Sequence, residues 1–186
     1  MSLKDLEEFL SEDEQSKGYS FDWDKEKRIW LAAVDNLFKD VVSWLEPLTT
    51  NPNFKMTWES VVLHEENLGD YETKRMILEL KGQKATLEPL GTMIIGSRGR
   101  IDLKGANGTV KFTLVDKRLT KPKVTVNIYT ETEYTKLQEK AQGKTPEPKE
   151  SAEYDWKIMT PPPNVQYLPL NAETFSDALL RVIRRD

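Results

Sequence analysis

Gly99-Arg100-Ile101-Asp102-Leu103-Lys104-Gly105-Ala106-Asn107-Gly108-Thr109-Val110-Lys111-Phe112-Thr113-Leu114-Val115-Asp116 is the stretch whose reading decides the fold. Apolar and polar residues alternate in both halves, and the glycine-bounded turn Gly105-Ala106-Asn107-Gly108 divides them. A period of two is that of a half-buried strand. A tight turn joins two such runs antiparallel, because a parallel pair needs a crossover of a dozen or more residues. Val110, Phe112 and Leu114 form the inward side of the second strand.

Upstream, the alternation stays in phase through two more glycines. Met93, Ile95, Ser97, Gly99, Ile101 and Leu103 fall on one side; Ile94, Gly96, Arg98, Arg100, Asp102 and Lys104 fall on the other. This predicts one long strand over 92–104, bent at Gly96 and Gly99 where missing side chains permit a bulge. A hairpin at Ser97-Arg98 is the alternative. Further strands are predicted at Phe54-Met56-Trp58, at Met76-Leu78-Leu80 and over 84–90. Two more fall at Val124-Val126-Ile128 and Tyr154-Trp156-Ile158.

Helices flank this run. Over 24–45, Ile29, Trp30, Ala33, Leu37, Val41, Trp44 and Leu45 recur at spacings of three and four. Asp22 or Asp24 caps that helix, and Pro47 ends it. Asn171 caps a final helix whose stripe is Phe175, Ala178, Leu179, Val182 and Ile183; Arg181, Arg184 and Arg185 suit its negative end. Pro161-Pro162-Pro163 reads as a stiff extended connector. Residues 1–20 read as an acidic tether. Residues 131–152, rich in Glu, Lys, Gln and Pro, read as a flexible excursion that buries too little apolar surface to offset its ordering entropy. The expected fold class is α+β. An antiparallel meander of about six strands is packed on one face by an N-terminal and a C-terminal amphipathic helix, all in one domain, 1–186.

Composition narrows the chemistry. With no Cys there is no disulfide, thiolate zinc site or thiol nucleophile. His64 is the single histidine, so a His-rich zinc site cannot form, and His64-Glu65 lacks a second His four residues on. Gly96-Ser97-Arg98-Gly99 has the wrong spacing for a nucleophile elbow, and neither a dinucleotide fingerprint nor a phosphate loop occurs. Acid groups such as Asp22/Asp24 and Glu65/Glu66/Asp70 are a chance expectation among 31 acids. No apolar run approaches the roughly 20 residues that span a bilayer. The expectations are no membrane partner, no cofactor and a cytoplasmic location, and the missing catalytic set weighs against an enzyme.

Charge supplies the positive signal. Residues 1–73 carry net −10, residues 74–123 net +8 and residues 124–186 net −2. Within the basic middle, alternation places Arg98, Arg100 and Lys104 on one strand face and Lys111 beside them; Lys117 and Arg118 extend the patch, with Lys121 and Lys123 beyond. Clustered guanidinium and ammonium groups attract carboxylate or phosphate. The leading expectation is a non-enzymatic intracellular binding or accessory protein presenting this basic sheet face to an acidic protein partner. A nucleic-acid-binding protein using the same face is the alternative; few aromatics interleave the cations, which weakens single-strand stacking. The acidic front, as a strip of carboxylates, also suits an inhibitor of a basic protein.

Arg100-Ile101-Asp102-Leu103 followed by Leu114-Val115-Asp116-Lys117-Arg118 resembles a fragment of the restriction-endonuclease-like nuclease pattern. There, an Asp ends one strand and an acid-any-Lys triplet sits on the next. The resemblance covers about twenty residues and implies Mg²⁺ held by Asp102 and Asp116. It departs where Arg118 stands in place of Lys, and Glu79-Leu80-Lys81 and Asp102-Leu103-Lys104 fit the same triplet.

Overall fold

A computed structural model describes residues 22–92, 97–122 and 153–184. The predicted tether, the Val124–Ile128 strand, the 131–152 excursion, Lys123 and Arg185 lie outside the described residues. The first helix among the described residues, α1, is Trp23–Leu45. Asp22 caps it by accepting a 2.9 Å bond from the Lys25 N–H, and Asp24 and Glu26 sit in the first turn, where the helix dipole favours acids. Pro47 falls in a single 3₁₀ turn, Glu46–Leu48, that ends the helix. The buried stripe is Trp30, Val34, Leu37, Phe38, Val41 and Leu45; the predicted members Ile29, Ala33 and Trp44 are half-buried at its margin.

Among the described residues, seven strands follow in a meander whose spatial order equals their order along the chain: β1 Phe54–Glu65, β2 Gly69–Leu80, β3 Gln83–Gly91, β4 Arg100–Gly105, β5 Gly108–Asp116, β6 Tyr154–Met159 and β7 Tyr167–Pro169. All pairs are antiparallel. Helix α2, Ala172–Ile183, follows β7. Its Asn171 cap bonds the N–H groups of Glu173 and Thr174. Arg181 lies in the last turn, while Arg184 is already extended and past the helix.

Both helices lie on one face. Helix α2 rests on β3, β4 and β5, and comes so close that a Cβ at Gly105 would overlap the Val182 carbonyl. Gly105 thus serves helix packing as well as the turn. Aromatic contacts tie the helix layer to the sheet, Trp30 to Trp156 (5.9 Å) and Phe38 to Trp58 (5.2 Å), and tie the two helices to each other, Trp44 to Phe175 (5.6 Å). The Trp156 indole N–H donates to the Ala33 carbonyl at 3.0 Å. The stripe residues of both helices and the inward residues of β2–β6 form one buried cluster. Within it, fully buried Phe112 and Phe175 contribute about 1.5–3 kcal/mol each.

Three expectations need correction. The long strand over 92–104 is not formed: β3 ends at Gly91, which pairs with Arg100, and β4 has six residues. Gly99, at φ 154°, is the cause. Its backbone passes under Trp30 where a Cβ would overlap the indole, and the alternation inverts there. Nor is Ser97-Arg98 the hairpin turn, since Arg98 N–H donates to Leu114 and Gly99 accepts from it, alongside β5. The triproline is not an extended spacer. It lies in a reversal closed by Thr160 N–H to Gln166 (2.9 Å), which brings the short β7 back onto β6.

The β1–β2 ribbon extends past β3, which pairs with β2 only from Met76 to Leu80. In its paired half, Met76 and Leu78 are buried. In its free half Tyr71 is buried, Leu63 packs on the core, and Val62 and Glu72 are exposed. The buried parity switches from even to odd although the β1–β2 register is unbroken. A bulge is therefore not the cause. Two-stranded ribbons twist more than wide sheets, and accumulated twist turns the other face inward. Glu65 anchors this arm: Tyr71 Oη donates to its carboxylate, and so do Thr92 N–H (2.9 Å) and Thr92 Oγ1 (2.7 Å).

Candidate partner-binding face

Strand pleat sets which side chains share the face opposite the helices. Register aligns Glu88 with Asp102 and Asp102 with Lys111, and aligns Arg100 with Thr113. Arg75 and Glu59 continue the pattern on β2 and β1. Arg100, Lys104 and Lys111 therefore share a face, as the alternation predicts.

Arg98 does not join them. The inversion at Gly99 turns it toward the helix layer, where its guanidinium bonds Glu26 of α1 at 2.9 Å and lies 4.4 Å over the Tyr154 ring. Lys117 and Arg118 sit past the end of β5, and Lys117 bonds Glu153. Arg118 holds Asp116 through its backbone N–H (2.9 Å), Nε (3.0 Å) and Nη2 (2.7 Å). The side-chain hydrogen bond from Arg118 is the main reason the Asp116 pKa falls to about 2.

On the shared face the cations meet carboxylates. Arg100 grips Asp102 with two bonds, 2.6 and 2.9 Å, and the Asp102 side chain is only 5% exposed. That hydrogen bond, more than the charge, raises the Arg100 pKa. Lys104 pairs with Glu88. Arg75 bonds Glu59 (2.8 and 2.5 Å) and reaches Glu88 at 3.5 Å; the Glu59 hydrogen bond raises its pKa. A ladder of alternating sign thus runs Glu59, Arg75, Glu88, Lys104. Among the described residues Lys84 and Lys111 form no ion pair, and they leave the face a positive excess.

This face is not a uniformly solvated plate. Thr113, Val115 and Lys157 are buried, and the Lys157 ammonium donates to the Lys117 and Leu119 carbonyls at 2.7 Å each. The more open part spans β2, β3 and β4, where Lys84 is exposed and Lys104 half-exposed.

Asp102 and Asp116 do not share a site. Asp102 stands opposite Lys111, five residues before Asp116 on β5, or roughly 16 Å at strand rise. Each carboxylate is held by its own arginine. Among the described residues, no group of three or more His, Asp or Glu is placed to hold a metal ion.

Sequence reasoning missed the counter-ions. Glu88 and Glu59 were accessible to it, because cross-strand register follows from short turns. Glu26 was not, since 72 residues separate it from Arg98. No protein family matches the chain, and neither a curated protein nor a solved structure does.

Proposed function

We propose that the chain is a non-enzymatic binding or accessory protein whose β2–β4 sheet face receives an acidic protein partner. The observation that carries this reading is the ladder Glu59–Arg75–Glu88–Lys104, beside Lys84 and Lys111, which form no ion pair among the described residues. Arginines already bound to carboxylates are fixed in place, so they lose little side-chain freedom when a partner arrives. The unpaired lysines supply the attraction. A partner with carboxylates spaced to match fits this face better than a phosphate backbone does. Backbone binding draws its energy from counterion release by available cations, and here most cations are already neutralised.

Fluorescence anisotropy of labelled poly-glutamate, duplex DNA and single-stranded RNA tests this, with salt titrated upward. Poly-glutamate should bind at low salt, and Lys84→Glu/Lys104→Glu/Lys111→Glu should weaken it by about tenfold or more. Tighter binding of DNA or RNA, with the logarithm of affinity falling linearly in log salt, would favour the nucleic-acid reading on the same cations. Binding to none of the probes would overturn both.

A further inference from the structure

Strand β1 is an edge of the sheet among the described residues, and it is twelve residues long. Seven of the twelve are exposed. Edge strands normally carry devices that stop them pairing with another chain: proline, a bulge, or charges along the edge. Between Phe54 and Glu65 there is no proline and the register to β2 is unbroken; of its three charged residues, Glu59 is bonded to Arg75 and Glu65 is held by Tyr71 and Thr92, which leaves Lys55. Two large apolar side chains stand open on this strand, Trp58 at 41% and Val62 at 52% exposure. Trp58 and Val42 of α1 border a depression of about 290 Å³ whose wall includes Phe38 and Lys74.

We infer that β1 pairs antiparallel with β1 of a second copy, about a two-fold axis at Ser60. The occupant follows from the sequence of the strand itself. A two-fold perpendicular to a continuous sheet keeps each face on its own side, so even residues must oppose even residues. Centring the axis on Ser60 places Trp58 opposite Val62 of the second copy, and Val62 opposite Trp58. One operation thus covers both exposed apolar groups in each copy. The same register sets Lys55 opposite Glu65, whose carboxylate is already engaged by Tyr71 and Thr92 of its own copy, and it opposes no two like charges. Centring on Glu59 would oppose two carboxylates, and centring on Val61 would oppose Trp58 to His64. Cross-strand aromatic-to-β-branched and opposite-charge pairs each contribute about 0.2–1 kcal/mol, and like charges directly opposed are unfavourable. The Ser60 register is the one that satisfies both conditions. Glu59 of β1 ends the ladder of the proposed face, but the inference rests on the backbone edge and on Trp58 and Val62, so it goes beyond the proposed function and does not depend on it.

The chain has no cysteine, which permits a clean test of the register. Directly opposed residues in an antiparallel pair have Cα atoms about 4.5–5.5 Å apart, within disulfide range. Sedimentation velocity of the full chain across a wide concentration range should show a concentration-dependent dimer. Val62→Lys, at an exposed position, should weaken it by about tenfold or more while leaving the circular dichroism spectrum unchanged. Under mild oxidation, Ser60→Cys should form a covalent dimer far faster than Lys55→Cys. A monomer at every concentration would overturn the inference. So would a dimer indifferent to Val62→Lys, or equal cross-linking at the two cysteine positions.

Discussion

Asp116 is held to a pKa of about 2, against an ordinary 3.8, by the Arg118 side chain and backbone and, at lower weight, by the Lys157 charge. A depressed carboxylate stabilises the folded chain above its unfolded value. That contribution is complete above 3.8 and is lost as the pH falls through about 2. Between pH 4 and 8 the pair therefore gives no pH dependence. An NMR titration of the Asp116 side-chain carbon should show a midpoint near 2. In Arg118→Ala it should move back toward 3.8. A wild-type midpoint already at the ordinary value would show that the pair does not persist in solution. Arg100–Asp102 has the same two-residue spacing and lies on one strand, so that pair can be read from the alternation of the chain; Arg118 lies in the turn past β5, where its backbone N–H also donates to Asp116. Lys117–Glu153 cannot, because its partners come from sequence-distant segments. There the interaction raises the lysine and lowers the glutamate, the side-chain hydrogen bond being the first cause on both sides.

Among the elements, the β1–β2 arm shows where local pattern stops being informative. Its free half leaves β3 behind, so it is held by its twist, by Lys27 over the Tyr71 ring and by the Glu65 anchor. Burial first, then the Glu65 hydrogen bond and charge, raise the Tyr71 pKa, which keeps the phenol a proton donor to that carboxylate. Hydrogen bonds to a charged group are worth about 1.5–3 kcal/mol. Glu65→Ala should accordingly speed amide exchange over Val61–Thr73 by roughly ten- to a hundredfold, with β4 and β5 unaffected. Uniform exchange changes across the sheet would mean that the arm has no separate stability. The cores of β1, β2, β3, β5 and β6, both helices with most of their stripes, and both caps are legible in the sequence because period and capping are local properties; the short β7 and the stripe members Val34 and Phe38 are not among the predicted ones. Nor is the arm legible: Phe54, Met56 and Trp58 announce even parity, and only the missing β3 neighbour explains why Leu63 and Tyr71 reverse it. Gly99 was legible as a special position but misread as a bend in one strand. Its reason is Trp30, 69 residues earlier on α1.

At the scale of the molecule, the division of charge between an acidic front and a basic middle is partly settled within the fold. Glu26 of α1 bonds Arg98, Asp35 of α1 reaches Lys74 at 3.6 Å, and Glu59 of β1 bonds Arg75. Exposed pairs of this kind are worth little singly. Cohesion rests instead on the apolar layer between the helices and the sheet. Helix α1 covers β1 through Phe38–Trp58 and β6 through Trp30–Trp156, so it bridges strands from opposite ends of the meander. Helix α2 meets both α1 and β5 through Phe175, which packs on Trp44 and on Phe112. A core connected in this way cannot release one end while keeping the other. Urea unfolding followed by tryptophan fluorescence and by far-ultraviolet circular dichroism should give coincident transitions. Phe38→Ala on the β1 side of this layer and Phe175→Ala on the β5 side should each lower that single transition by about 3–5 kcal/mol, as deletion of a buried aromatic does. Two separated transitions, with each variant shifting only one, would show instead that the α1–β1–β2 region and the β4–β5–α2 region are independent folding units.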